Sequence, residues 1–125
     1  MTEQDWLDTT VIDGLIAEIG PESMARVLDA IAGDAERLLN GLQQAVEIND
    51  SKAFSLYAHS LKSNSLTVGA VAVGALFQEL ETLGCEDSLE EVADRVRHAQ
   101  AAYRKLIGFI ITVPDCYPAH LSSTG

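Results

Sequence analysis

From Pro21 to about Glu47, apolar residues recur at steps of three and four: Met24, Val27, Leu28, Ile31, Ala35, Leu38, Leu42 and Val46. That period sets one face of an α-helix and is incompatible with a strand, whose faces alternate every second residue. A helix this long must bury its stripe against other elements, so it dictates an architecture of packed helices. Pro21 suits the first turn, where its missing N–H costs nothing, and Gly33 and Gly41 are the weak points within the run.

The rest of the chain has the same period. Val11, Ile12, Leu15, Ile16 and Ile19 predict a short first helix from Asp8 to Ile19, closed by Gly20-Pro21. Asn49-Asp50-Ser51 is a turn and cap signal, and Ala53, Phe54, Tyr57, Leu61 and Val68 mark a third helix ending near Gly69. Val71, Ala75, Leu76, Leu80 and Leu83 form a fourth stretch that closes at Gly84. Asp87-Ser88-Leu89-Glu90 reads as a capped restart, and the last helix carries Leu89, Val92, Val96, Ala99, Tyr103, Leu106 and Ile110 until Pro114. Short connections make neighbouring helices antiparallel. The expected fold is therefore all-α, an up-and-down four-helix bundle with a short additional N-terminal helix, spanning residues 8–113 and followed by a flexible tail at 114–125.

Composition narrows the function. A single domain fits 125 residues. Nineteen acidic against eight basic residues give a formal charge of -11, a field that repels nucleic acid. The first residues lack the charged and apolar regions of a signal peptide, and the most apolar run, Leu106 to Val113, is far short of the ~20 residues that span a bilayer. The expectation is a monomeric cytoplasmic protein with no nucleic-acid or membrane partner, and Met1 with the loose tail favours a stand-alone protein. Cys85 and Cys116 lack metal-ligand spacing, are expected as free thiols and receive no role.

His59 is the residue whose direction matters. At about 100° per residue, Tyr57, Leu61, Phe54 and Val68 cluster on one face of the third helix, flanked by Asn64, Ser65 and Ala58. His59 lies roughly 160° from the centre of that face. Ser55 one turn before, Lys62 and Ser63 one turn after and Leu66 two turns on share its side. One reading is an ordinary solvated histidine with a solvated lysine beside it. The other is a docking site: small residues leave the ring open, Leu66 gives a partner something to bury, and Lys62 brings a positive charge. Phosphoryl transfer asks for a nucleophile in line with the leaving oxygen and charge compensation on the equatorial oxygens, and His59 with Lys62 meet both needs. An exposed imidazole, with a reference pKa of about 6.5, is largely neutral and nucleophilic near pH 7.

Ala58-His59-Ser60-Leu61-Lys62-Ser63-Asn64-Ser65 with Gly69-Ala70 resembles the H-x-L-K-G-S-S-x-x-x-G-A signature of histidine-containing phosphotransfer (HPt) domains. Ser63 stands where that family usually has glycine, and Asn64 where it has serine or alanine. The resemblance implies a four-helix bundle over most of residues 8–113, with Leu80-Glu81-x-x-Gly84 as a helix end. It makes His59 the phosphoacceptor, Leu61 the core leucine beside it and Lys62 the lysine that contacts the phosphoryl group. It also implies a carrier without an ATP site, to which receiver domains dock over Ser55, Ser63, Leu66 and Gly69. The partners implied are response-regulator receiver domains and a hybrid sensor histidine kinase. No cofactor is expected on this chain, Mg²⁺ belonging to the receiver.

Two other readings stand beside this one. A module of the same fold would bind a receiver or kinase without using His59. A phosphatase on a helical bundle would need a carboxylate or amide positioned beside the ring, and Asn64 falls towards the core face instead. His98, on the polar side of the last helix, and His120, in the tail, are expected to be incidental. No metal site is expected, because the residue three before His59 is Leu56 rather than the glutamate of a bundle-type metal motif.

Overall fold

The computed structural model describes residues 9–85 and 92–110. The expected helix start at Asp8, the restart at Asp87 to Glu90 and the tail at 114–125 lie outside the described residues, as do Trp6, Cys116 and His120. The five elements are α1 (Thr9–Ile19), α2 (Pro21–Glu47), α3 (Ser51–Thr67), α4 (Val71–Cys85) and α5 (Ala93–Ile110). Among the described residues there is no strand.

Each turn has a local cause. Gly20 adopts φ +87, a conformation open to glycine at little cost, and its N–H bonds to the Ile16 carbonyl at 2.8 Å before Pro21 begins α2. At the far end of α2, Asn49 takes φ 56, and the N–H groups of Asn49 and Asp50 bond back to the carbonyls of Val46 and Ala45. Asp50 then caps α3, its carboxylate accepting from the Ala53 N–H at 3.1 Å. The end of α3 repeats this geometry. Gly69 takes φ 79, the Gly69 N–H bonds to the Leu66 carbonyl at 3.1 Å and the Ala70 N–H to the Ser65 carbonyl at 2.8 Å.

Helix α2 runs unbroken through Gly33 and Gly41, about 40 Å in length at 1.5 Å per residue. Gly41 is a point of close approach: a Cβ there would stand 2.4 Å from the Tyr57 ring of α3. Its buried stripe is Met24, Leu28, Ile31, Ala35, Leu38, Leu39, Leu42 and Ala45. Helix α3 packs against both α2 and α4, α5 packs against both as well, and α1 lies on α2. Gln100 of α5 is buried and donates to the Leu39 carbonyl of α2 at 3.3 Å, and Phe77 of α4 meets the Tyr103 ring edge-on at 5.6 Å.

The rotation of α3 differs from the sequence expectation. Its buried residues are Phe54, Ala58, Leu61 and Ser65, with Val68 at its end, whereas Tyr57 is only half-buried. Phe54 lies at the centre of the buried face with Leu61 and Ser65 beside it, and Ser65 faces α4, its Cβ 3.8 Å from where a Cβ on Gly74 would stand. The bulky Tyr57 is turned to the α2 seam, and the buried Ser65 hydroxyl is satisfied by donating to the Leu61 carbonyl at 2.8 Å.

Candidate functional site

The tight turn at Gly69-Ala70 makes α3 and α4 an antiparallel hairpin, so residues equally distant from Ala70 face each other. Leu66 lies against Gly74, where a Cβ would meet Leu66 Cδ2 at 2.7 Å. Lys62 Nζ donates to Gln78 Oε1 at 2.9 Å, and His59 Nδ1 lies 3.1 Å from Glu81 Oε2. Nearer the hairpin's open end, Ser55 Oγ donates to the Glu81 carbonyl at 3.3 Å, and a Cβ at Gly84 would stand 2.4 Å from Ser55 Oγ.

His59 is open to solvent, with 57% of its side chain exposed. It is not alone there. Glu81 bridges the site, one carboxylate oxygen facing the ring and the other accepting from Lys62 Nζ at 2.7 Å. Its carboxyl is held below the usual range chiefly by the Lys62 hydrogen bond, with burial opposing and the His59 contact assisting. An ionised Glu81 is acceptor-only, so the contact is a hydrogen bond when the ring proton is on Nδ1, the arrangement that leaves Nε2 of a neutral ring bare.

The expected site residues divide into two groups. Ser63 and Leu66 share the exposed side with His59. Ser55 and Lys62 do not: the rotation of α3 places them in the seam with α4, where Ser55 is half-buried and only 18% of the Lys62 side chain is exposed. Gly69 is buried and serves the left-handed turn, so it offers no docking surface of its own. Asn64 is half-buried and donates to the hydroxyl of the buried Tyr103 at 3.4 Å, away from the ring. Burial raises the Tyr103 pKa, and the Asn64 hydrogen bond opposes the rise. His98 is exposed on α5.

Three residues were missed by reading α3 alone. Glu81 and Gln78 reach the site from α4, and Leu56 stands 62% exposed one turn before His59. Counting outward from the Gly69-Ala70 turn would have found the first two. Apolar Leu56 at i−3 would have been visible once His59 was placed outward. Glu81 is also the positioned carboxylate that a phosphatase would need, but both its oxygens are engaged by Lys62 and the ring. Among the described residues, no three His, Cys, Asp or Glu side chains converge as metal ligands, and no helix is long and apolar enough to cross a membrane.

An exposed histidine on an open helix face, beside a mostly buried lysine and a carboxylate that bridges the two, is an arrangement open to a docking partner rather than a closed pocket. The model of the Hpt domain matches residues 26–107, which take in α3, α4 and nearly all of α2 and α5. The chain belongs to the Hpt domain family. Hpt domains are phosphotransfer carriers that work with receiver domains and kinases in phosphorelays, and this one is a phosphotransfer protein of that kind. Its fold is similar to the crystal structure of histidine-containing phosphotransfer protein B (HptB) from Pseudomonas aeruginosa PAO1, with a TM-score of 0.81 at 24% identity over 90% of this chain and 96% of that one. No match was found among curated proteins.

Proposed function

We propose that this Hpt domain accepts a phosphoryl group on His59 Nε2 from the aspartyl phosphate of a receiver domain and passes it to a second receiver. The observation that carries the reading is the His59–Glu81 pair on an otherwise open helix face. In the attack, the Nε2 lone pair forms the N–P bond while the P–O bond to the receiver aspartate breaks, its electrons returning to that carboxylate. No proton has to leave the ring, because the nitrogen that reacts carries none. Positive charge develops on the imidazole, and Glu81, facing Nδ1–H, offsets it in the way an aspartate supports a catalytic histidine in a hydrolytic triad. Lys62, one turn on from His59 and bonded to Glu81, compensates charge on the phosphoryl oxygens once it turns outward. Transfer to the second receiver is the same step reversed.

The Mg²⁺ that assists this chemistry belongs to the receiver, and no ATP site is assigned to this chain. Leu56 and Leu66, exposed on either side of His59 along α3, with Ser63 between them, form the surface on which the receiver docks. Helices α2 to α5 form the up-and-down four-helix bundle, α1 being an addition on α2. The protein acts as a monomer in the cytoplasm, where a hybrid sensor histidine kinase supplies the receiver upstream.

The test is incubation with a panel of receivers carrying radiolabelled phosphate. Label that is acid-labile and alkali-stable on this chain supports the reading. A receiver that binds but transfers no label would replace it with the non-phosphorylated binding module.

A further inference from the structure

Lysine side chains normally bury the stem and leave the ammonium in water. Lys62 instead delivers its ammonium to two acceptors on α4, Glu81 Oε1 at 2.7 Å and Gln78 Oε1 at 2.9 Å. Gln78 is itself oriented: its Nε2 donates to Thr82 Oγ1 at 3.2 Å, and the Thr82 hydroxyl donates to the Gln78 carbonyl at 3.0 Å. With the amide nitrogen committed to Thr82, the amide oxygen is the atom left to face Lys62. With Lys62 on one oxygen of Glu81, the other oxygen is held towards His59. A chain of hydrogen bonds thus runs from Thr82 through Gln78, Lys62 and Glu81 to the ring, each link satisfying donor and acceptor in one sense only.

We infer that Lys62 is a positioning residue for the unphosphorylated ring: it anchors Glu81, and through Glu81 it holds the His59 proton on Nδ1 before any phosphoryl group arrives. An isolated imidazole in water favours the proton on Nε2, the nitrogen that must be bare for the proposed transfer. A glutamate without an anchor would have to give up rotamer freedom to stay on a half-exposed ring, and exposed pairs of that kind contribute little. Lys62 supplies the anchor, leaving Oε2 already in place. Among the described residues, the charged groups bonded to the ring or to its partner are Glu81 from α4 and Lys62 from α3 itself. Helix α2, on the other flank of α3, meets it through Gly41 and Tyr57. The inference rests on the proposed function only for its consequence; the tautomer is a property of the unphosphorylated chain.

Long-range ¹H–¹⁵N spectra of the full chain, recorded at an alkaline pH where the spectra themselves show one protonated and one bare ring nitrogen, read which nitrogen carries the proton. The wild type is expected to show Nδ1 protonated and Nε2 bare. Both Glu81→Gln and Lys62→Met are expected to move the proton towards Nε2, and Lys62→Met should add nothing on the Glu81→Gln background. Lys62→Arg, which keeps donors and charge, should restore most of the wild-type pattern. A folded Lys62→Met protein with the wild-type tautomer would overturn the inference and leave Lys62 acting on the phosphoryl group alone; should that variant fail to fold, Lys62→Gln answers the same question. Neither receiver nor phosphate is present, so absence of transfer elsewhere would not decide this result, and a wild-type tautomer in the lysine variant would leave the transfer reading intact.

Discussion

Ser55 Oγ donates to the main-chain oxygen of Glu81 at 3.3 Å, one helical turn before the ring that the Glu81 side chain meets. Glu81 is therefore tied to α3 through both backbone and carboxylate. Its replacement by glutamine keeps the shape and removes the charge. Since hydrogen bonds to charged groups contribute about 1.5–3 kcal/mol, transfer to His59 should slow by roughly ten- to a hundredfold. Initial rates at saturating phosphorylated receiver measure this, and a rate within about twofold of wild type would contradict the role given to Glu81.

The same carboxylate makes stability depend on pH. Its folded pKa lies below the ordinary glutamate value, mainly through the Lys62 hydrogen bond. The sign follows from proton binding: the unfolded chain binds the proton at higher pH, so the contribution is complete above the ordinary value of about 4.3 and is lost as pH falls through the depressed one. Urea unfolding of wild type and Glu81→Gln between neutral and acid pH should show the wild-type advantage shrinking in that window. An advantage independent of pH would mean that the ion pair adds nothing to folding.

Two glycines should respond oppositely to alanine. Gly84 lies where α4 crosses α3, and an added Cβ would meet Ser55 Oγ at 2.4 Å, Phe54 Cδ2 at 3.0 Å and the Ser51 carbonyl at 3.3 Å. Overpacking of this kind costs about 1–3 kcal/mol, and each kcal/mol lowers Tm by about 4 °C in a domain of this size. Gly33 has nothing within 4 Å of such a Cβ and sits inside α2, so Gly33→Ala should stabilise by about 0.5–1 kcal/mol. Thermal unfolding of the two variants checks both signs.

Leu66 is 46% exposed although its far end rests over Gly74. Leu66→Ser should leave the fold intact and weaken receiver binding about tenfold, the loss expected when a leucine worth about 1.5–3 kcal/mol on full burial is partly covered at an interface. Titration calorimetry measures the affinity. Unchanged affinity in both Leu66→Ser and Leu56→Ser would move the docking surface elsewhere.

The first three helices were legible because each ends on a residue with a local reason to stop. Gly20 with Pro21, Asn49 with Asp50, and Gly69 need no distant partner to act. The outward direction of His59 followed from the same period of 3.6. Its surroundings did not, because a stripe of apolar residues fixes which face of α3 is buried only to within a turn of the neighbouring helices. Phe54, Leu61 and Ser65 hold the centre of the buried face and Tyr57 lies on its α2 side, and that rotation carried Lys62 and Ser55 from the open side into the seam. Glu81 was hidden for a further reason. It belongs to another helix, and only the antiparallel turn at Gly69-Ala70 brings it level with the histidine.

Whether His59 carries the phosphoryl group is decided by transfer from a labelled receiver to wild type and to His59→Gln, followed by mass spectrometry of the phosphorylated peptide under alkaline conditions. A phosphate is expected on the peptide containing His59 in the wild type and none anywhere on the variant, which should still bind the receiver. Equal labelling of the two proteins, or label placed on another residue, would contradict that role for His59.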